Sequence, residues 1–84
     1  MNNVIIKYPG EIGINLKVYN ELYHSLEENG FMPVFGKKSY SLKSKEGTAK
    51  FFYFSDKPLP TKKNLQKILS GIEISKIKIN RKKN

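Results

Sequence analysis

The chain has no cysteine and no tryptophan, and only one histidine and one aspartate among its 84 residues. Without cysteine there is no disulfide, no thiolate metal site and no cysteine nucleophile. Secreted domains of this size usually carry disulfides, so the composition favours an intracellular, cytoplasmic setting. The opening Met-Asn-Asn-Val-Ile-Ile-Lys has no basic region followed by a long apolar stretch, so no signal peptide is expected. No apolar run approaches the roughly 20 residues of a membrane span, and no membrane partner is expected. His24 lacks obvious companions for a metal site. It falls beside an apolar helical stripe and reads as a half-buried structural residue. Asp56, alone after a strand, reads as a turn or cap residue. The six glutamates show no paired spacing for acid–base work, and Gly10 and Gly13 do not form a phosphate-cradling motif. No catalytic residue, metal ligand or cofactor is therefore assigned, and an enzyme is the less favoured class.

What the chain does have is positive charge, placed unevenly. Residues 1–36 hold two lysines against four glutamates, a balance of −2. Residues 37–84 hold fourteen Lys or Arg against three acids, a balance of +11, which gives the chain its +9. Asymmetry of this kind points to an anionic partner on one side. Its bland counterpart is a solvated, Lys-rich surface. The Lys-, Asn- and Ile-heavy composition also fits an AT-rich bacterial or phage genome.

The densest apolar block runs from Thr48 to Ser55 and contains Phe51, Phe52, Tyr53 and Phe54 in succession. Aromatic residues favour strands, and a helical stripe would need gaps. Alternate side chains on a strand face opposite ways. Phe52 and Phe54 are assigned to the helix-facing core with Leu22, Leu26, Leu65, Ile68 and Leu69. Phe51 and Tyr53 are assigned to the outer face. A strand without polar alternation is a central strand covered on both sides.

The remaining elements follow in order. Asn3 to Tyr8 is a strand with Val4, Ile6 and Tyr8 on one face and Asn3, Ile5 and Lys7 on the other. Asn15 reads as an N-cap, and Leu16, Tyr19, Leu22, Tyr23 and Leu26 recur at helical spacing until Asn29-Gly30. Either Phe31 to Phe35 and Lys38 to Ser44 form a hairpin turning at Gly36-Lys37, or Met32 to Lys43 is one long strand bent at Gly36. Lys45-Glu46-Gly47 is a turn. Pro58 and Pro60 lead to a helix start at Thr61, with Leu65, Ile68, Leu69 and Ile72 as its apolar marks. Glu73 to Asn80 is a last strand, with Ile77 and Ile79 inward and Lys76 and Lys78 outward. Residues 1–80 make one domain and Arg81 to Asn84 a basic tail. The predicted fold is an α+β two-layer sandwich in βαβ(β)βαβ order. Both helices lie on one face of a mainly antiparallel sheet, in a ferredoxin-like or double-stranded-RNA-binding-like arrangement.

Lys62 and Lys63 sit in the first turn of the second helix, where the dipole disfavours cations. A bound phosphate would explain them, as would a solvated surface. Lys67 extends their stripe, Lys76, Lys78 and Arg81 lie along and after the last strand, and Lys37 and Lys38 occupy the bend. These eight are the candidate nucleic-acid contacts. Phe51 and Tyr53 are candidates for base stacking or for a homodimer interface, because an open aromatic face is rarely left uncovered.

Leu22 to Phe31, then Gly36-Lys37-Lys38-Ser39-Tyr40, the strand into Pro58 and Pro60, and the helix from Thr61 to Leu69 resemble the HicA-type mRNA interferase toxins. The match covers roughly residues 16–72. The resemblance implies a double-stranded-RNA-binding-like fold and RNA as the ligand. That family places a catalytic histidine just after a Gly-Ser pair, where this chain reads Lys38-Ser39-Tyr40. The leading expectation is therefore a small basic nucleic-acid-binding module of a phage or toxin–antitoxin locus, with RNA favoured over DNA. The alternatives are an interferase toxin with a displaced active site, or an inhibitor protein docking on a host nucleoprotein.

Overall fold

The computed structural model describes residues 2–81. Of the expected basic tail, Lys82, Lys83 and Asn84 lie outside the described residues. Six elements run in the order β1 (Asn3–Pro9), α1 (Ile12–Glu27), β2 (Phe31–Ser41), β3 (Glu46–Tyr53), α2 (Lys62–Ile68) and β4 (Lys76–Asn80). They build a four-stranded sheet in the order β2-β3-β1-β4, with every neighbouring pair antiparallel. Each helix joins strands two places apart, which is the split, ferredoxin-like order. Two strands, not three, stand between the helices.

The register explains which side chains are covered. Val4, Ile6 and Tyr8 of β1, Ala49 and Phe51 of β3 and Ile77 of β4 all point to one face, and all are buried. Leu22 and Leu26 of α1, Leu65 of α2, Leu69 at the C-cap of α2 and Phe31 of β2 join them in one core. The aromatic assignment is thus reversed. Phe51 is completely buried, Phe52 is half-buried on the opposite face, and Phe54 lies past the end of β3 and is 54% exposed. Tyr53 is helix-side as well: its ring sits 4.8 Å from Phe31 and it packs on the core. The β1–β3 pairing decides the matter, because Phe51 stands directly opposite Val4. Opposed residues share a face.

The first helix begins one turn earlier than its spacing suggests. Glu11 takes the N-cap position, without a side-chain cap hydrogen bond, and Asn15 lies inside the helix. Asn15 is buried, and its Nδ2 donates to the Tyr8 carbonyl at 3.0 Å and to the Pro9 carbonyl at 3.4 Å. These bonds tie α1 to the end of β1. Leu16, expected in the stripe, is 51% exposed. Gly47 of β3 packs under Asn15: a Cβ there would collide with Asn15 Oδ1 and come within 2.7 Å of the Tyr8 ring.

In α2 the expected start holds, with Thr61 Oγ1 accepting a hydrogen bond from the Asn64 backbone N–H at 3.2 Å. Of the two readings of residues 31–44, the single bent strand is found. Pro33 pairs with Phe51 and Lys38 with Ala49, so four residues of β2 (34–37) oppose Lys50 alone. Gly36 carries the bend at φ +77°, in the left-handed region. The turn that follows is Leu42 to Lys45; it begins three residues before the expected Lys45-Glu46-Gly47 and ends two before it, and Glu46 and Gly47 belong to β3.

A candidate nucleic-acid interface on the open sheet face

The face of the sheet turned away from the helices is read from the register. Ser39, Thr48, Lys7 and Lys76 form one row across the four strands. Lys50, Ile5 and Lys78 form the next, with the β2 bulge at its end. Met32, Phe52, Asn3 and Asn80 form the third, closed by a 2.9 Å hydrogen bond from Asn80 Nδ2 to Asn3 Oδ1. These three rows hold four lysines and no carboxylate. Glu46 comes only in the row beyond, opposite Pro9 and Ser41. Lys7 and Lys76 are direct cross-strand partners, an arrangement of like charges that weakens a sheet unless something neutralises it.

The eight predicted contacts fall into separate groups. Lys76 and Lys78 are exposed on the open face, as expected. Lys37 is exposed on the bulge. Lys62, Lys63 and Lys67 are exposed on α2, in the helical layer across the sheet from that face. Lys62 does share a surface groove with Lys76, where the end of α2 meets the edge strand β4. Arg81 is exposed directly after β4. Lys38 is turned the other way: its Nζ lies 4.1 Å from the centroid of the Tyr19 ring, on the helix side. There it caps an aromatic column in which Tyr19 stands 6.1 Å from Phe51 and 6.4 Å from Tyr8. Such a cation–π contact is worth about 0.5–1 kcal/mol near a surface, so Lys38 has a structural partner of its own.

Phe51 is fully buried and cannot stack on a ligand, while Tyr53, half-buried on the helix side, donates its hydroxyl to the Pro58 carbonyl at 3.2 Å. The aromatic side chain on the open face is Phe52. The lysines that sequence reasoning passed over are Lys7 and Lys50. Lys7 carried the outward parity of its strand. Lys50 was hidden by the reversed face of the aromatic run, since it shares the side of Phe52.

The bulge makes the face concave. A cavity of about 390 Å³ is lined by Ile5, Thr48 and Lys50 from the sheet and by Gly36, Lys37, Lys38 and Ser39 from β2. Gly36 and Lys37 of the bulge thus wall the cavity on its β2 side. Phe35, next to Gly36 on the bulge, is fully exposed.

His24 is exposed, not half-buried, and its ring meets Tyr23 edge-on at 5.6 Å. Tyr23 in turn has its phenol pKa raised, first by the charge of Glu27 one turn on and then by a hydrogen bond to it. Burial, with a smaller push from Tyr19, raises the Tyr8 phenol to about 12. Burial also raises Tyr19. These shifts belong to the core and to the helix surface, away from the lysine rows. Among the described residues no group of three His, Asp or Glu could hold a metal ion, and no helix is long and apolar enough to cross a membrane. No protein-family model, curated protein or solved structure matches the chain.

Proposed function

We propose that the chain is a small nucleic-acid-binding module, with RNA favoured, that takes the sugar–phosphate backbone on its open sheet face. The observation that carries this reading is the set of Lys7, Lys50, Lys76 and Lys78 on three adjacent strands, with no carboxylate in their rows. Lys7 and Lys76 stand directly opposite each other, Lys50 and Lys78 flank Ile5 in the next row, and this crowding of like charge is repulsive. A polyanion relieves that repulsion and releases its own counterions. Lys37 and Arg81 extend the basic surface at two of its margins. The groove shared by Lys62 and Lys76 gives the α2 lysines a route to the same ligand around the β4 edge. The likeness to interferase toxins around residues 16–72 adds a reason to prefer RNA, and a toxin–antitoxin or phage locus suits a basic module of this size. The reading is one of binding, not cleavage.

The test is a salt titration on RNA and DNA, single-stranded and duplex. Log affinity should fall linearly with log salt, at a slope of about −0.7 per phosphate contact on single strands and about −0.9 on duplex DNA. The double substitution Lys50→Ala/Lys78→Ala should flatten the slope by about two contacts. Absence of binding to every nucleic acid at low salt would refute the proposal and favour a protein partner.

A further inference from the structure

We infer that the bulge-walled slot on the open face receives an unstacked base, so that the module selects single-stranded over duplex nucleic acid. This inference rests on the reading of the face as a nucleic-acid interface and adds what kind of strand it takes. Three observations lead to it. The slot has one apolar side chain in its floor: Ile5 lies between Lys50 and Lys78 in one row, and Phe52 stands on the same face in the next row, beside the slot. A duplex offers phosphates, sugars and groove edges but keeps the faces of its bases stacked inside, whereas a single strand can turn a base face onto such a floor. The slot is also the wrong shape for a duplex. Four residues of β2 oppose Lys50 alone, and Gly36 and Lys37 among them line the cavity beside it, so the face is a trough closed on its β2 side. Its volume of about 390 Å³ lies at the small end of ligand pockets, room for one nucleotide and not for a helix.

The third observation is Phe35. It lies on the bulge, next in the chain to Gly36 of the slot lining, and is fully exposed. The fold makes no use of its ring, while the core contains Phe31 and Phe51. An aromatic ring held in water beside a base-sized slot is the side chain that sequence-tolerant single-strand binders use as a stacking platform. The polar groups around it suit a nucleotide. Ser39 and Thr48 bring hydroxyls that donate or accept, and Lys37 and Lys50 bring ammonium groups for the flanking phosphates. The device has a simple division of labour: lysines hold any polyanion, while Ile5, Phe52 and Phe35 reward only a strand whose bases are free.

The experiment measures fluorescence anisotropy with an unstructured 12-nucleotide RNA strand and a 12-base-pair RNA duplex at one salt concentration (approximate lengths, chosen so that one site is covered). Wild type should bind the strand at least about tenfold more tightly than the duplex. Phe35→Ala, which cannot disturb the core, should weaken strand binding by about 5- to 150-fold and leave duplex binding unchanged. Phe52→Ala should act in the same direction, and Ser39→Phe, which fills the slot, should remove the preference. Equal affinity for strand and duplex would overturn the inference while leaving nucleic-acid binding in place. So would a Phe35→Ala effect that is absent, or equal on both ligands. Failure of wild type to bind either ligand at low salt would instead overturn the interface itself, and the slot with it.

Discussion

The two faces of this sheet are made by the same strands, and one residue of offset separates them. On the helix side Val4, Ile6, Tyr8, Ala49, Phe51 and Ile77 are buried in a continuous core. On the open side their immediate neighbours Ile5, Lys7, Lys50, Phe52, Lys76 and Lys78 meet solvent wholly or in part. The period of two along a strand is enough to give one backbone an apolar surface and a cationic one. The consequence is a separation of duties. Changes on the covered face should act on stability, and changes on the open face should act on ligand binding.

The sharpest way to break that comparison is to truncate two adjacent aromatics. Phe51→Ala removes a fully buried ring and should cost about 3–5 kcal/mol, read as a lowered denaturation midpoint. Phe52→Ala, one residue on, should cost much less because its ring is only partly covered. Equal losses would mean that both faces are packed in solution, as in a dimer joined through the open face.

The next effect tests the covered face at its tightest point. Gly47→Ala forces a Cβ into Asn15 and the Tyr8 ring, and should destabilise by about 1–3 kcal/mol through overpacking. Asn15→Leu leaves the Tyr8 carbonyl without its side-chain donor and should cost a similar amount, about 1–3 kcal/mol. A neutral result for both would mean that α1 can shift away from the β1–β3 pair.

Lysine substitutions test the other side. Lys50→Ala and Lys78→Ala should change stability by no more than about 0.5 kcal/mol in either direction. Each should lower the salt slope of single-strand binding by about 0.7. If they unfold the protein, the open face is not a free surface.

The smallest effect is a matter of pH. Burial holds the Tyr8 phenol at about 12, above the ordinary tyrosine value of 10.0. A group whose folded pKa is raised contributes stability that is fully present below its unfolded pKa and lost as pH climbs through the folded one. Wild type should therefore lose stability between pH 10 and about 12 that Tyr8→Phe does not lose. The difference between the two melting curves isolates the contribution of the Tyr8 phenol. Parallel loss in both proteins would show that the phenol is not what responds.

Much of this architecture was legible in the residues. Alternation in β1 and β4 assigned their faces correctly, because only one parity is consistently apolar in each. Thr61 announced α2, and Leu22, Leu26, Leu65 and Leu69 marked the helix faces through their spacing. Asn15 misled, since a short polar side chain near a helix start suits an N-cap and a buried interior bond equally well in sequence. Leu16 followed that error onto the wrong part of the stripe.

The candidate site was legible only in part. Lys76 and Lys78 were visible as outward residues of an alternating strand. Lys50 was not, because both parities of its strand are aromatic from Phe51 onward and alternation then carries no information about direction. The pairing of Phe51 with Val4 resolved it. Pairing is also what set Lys7 opposite Lys76, turned Lys38 onto Tyr19 and compressed four residues of β2 against Lys50. Local propensity and periodicity thus defined the elements and the sign of the charge, since those depend on residues close in the chain. The choice of face and the shape of the slot depend on contacts between strands distant in sequence, and those arise only when the sheet closes around its core.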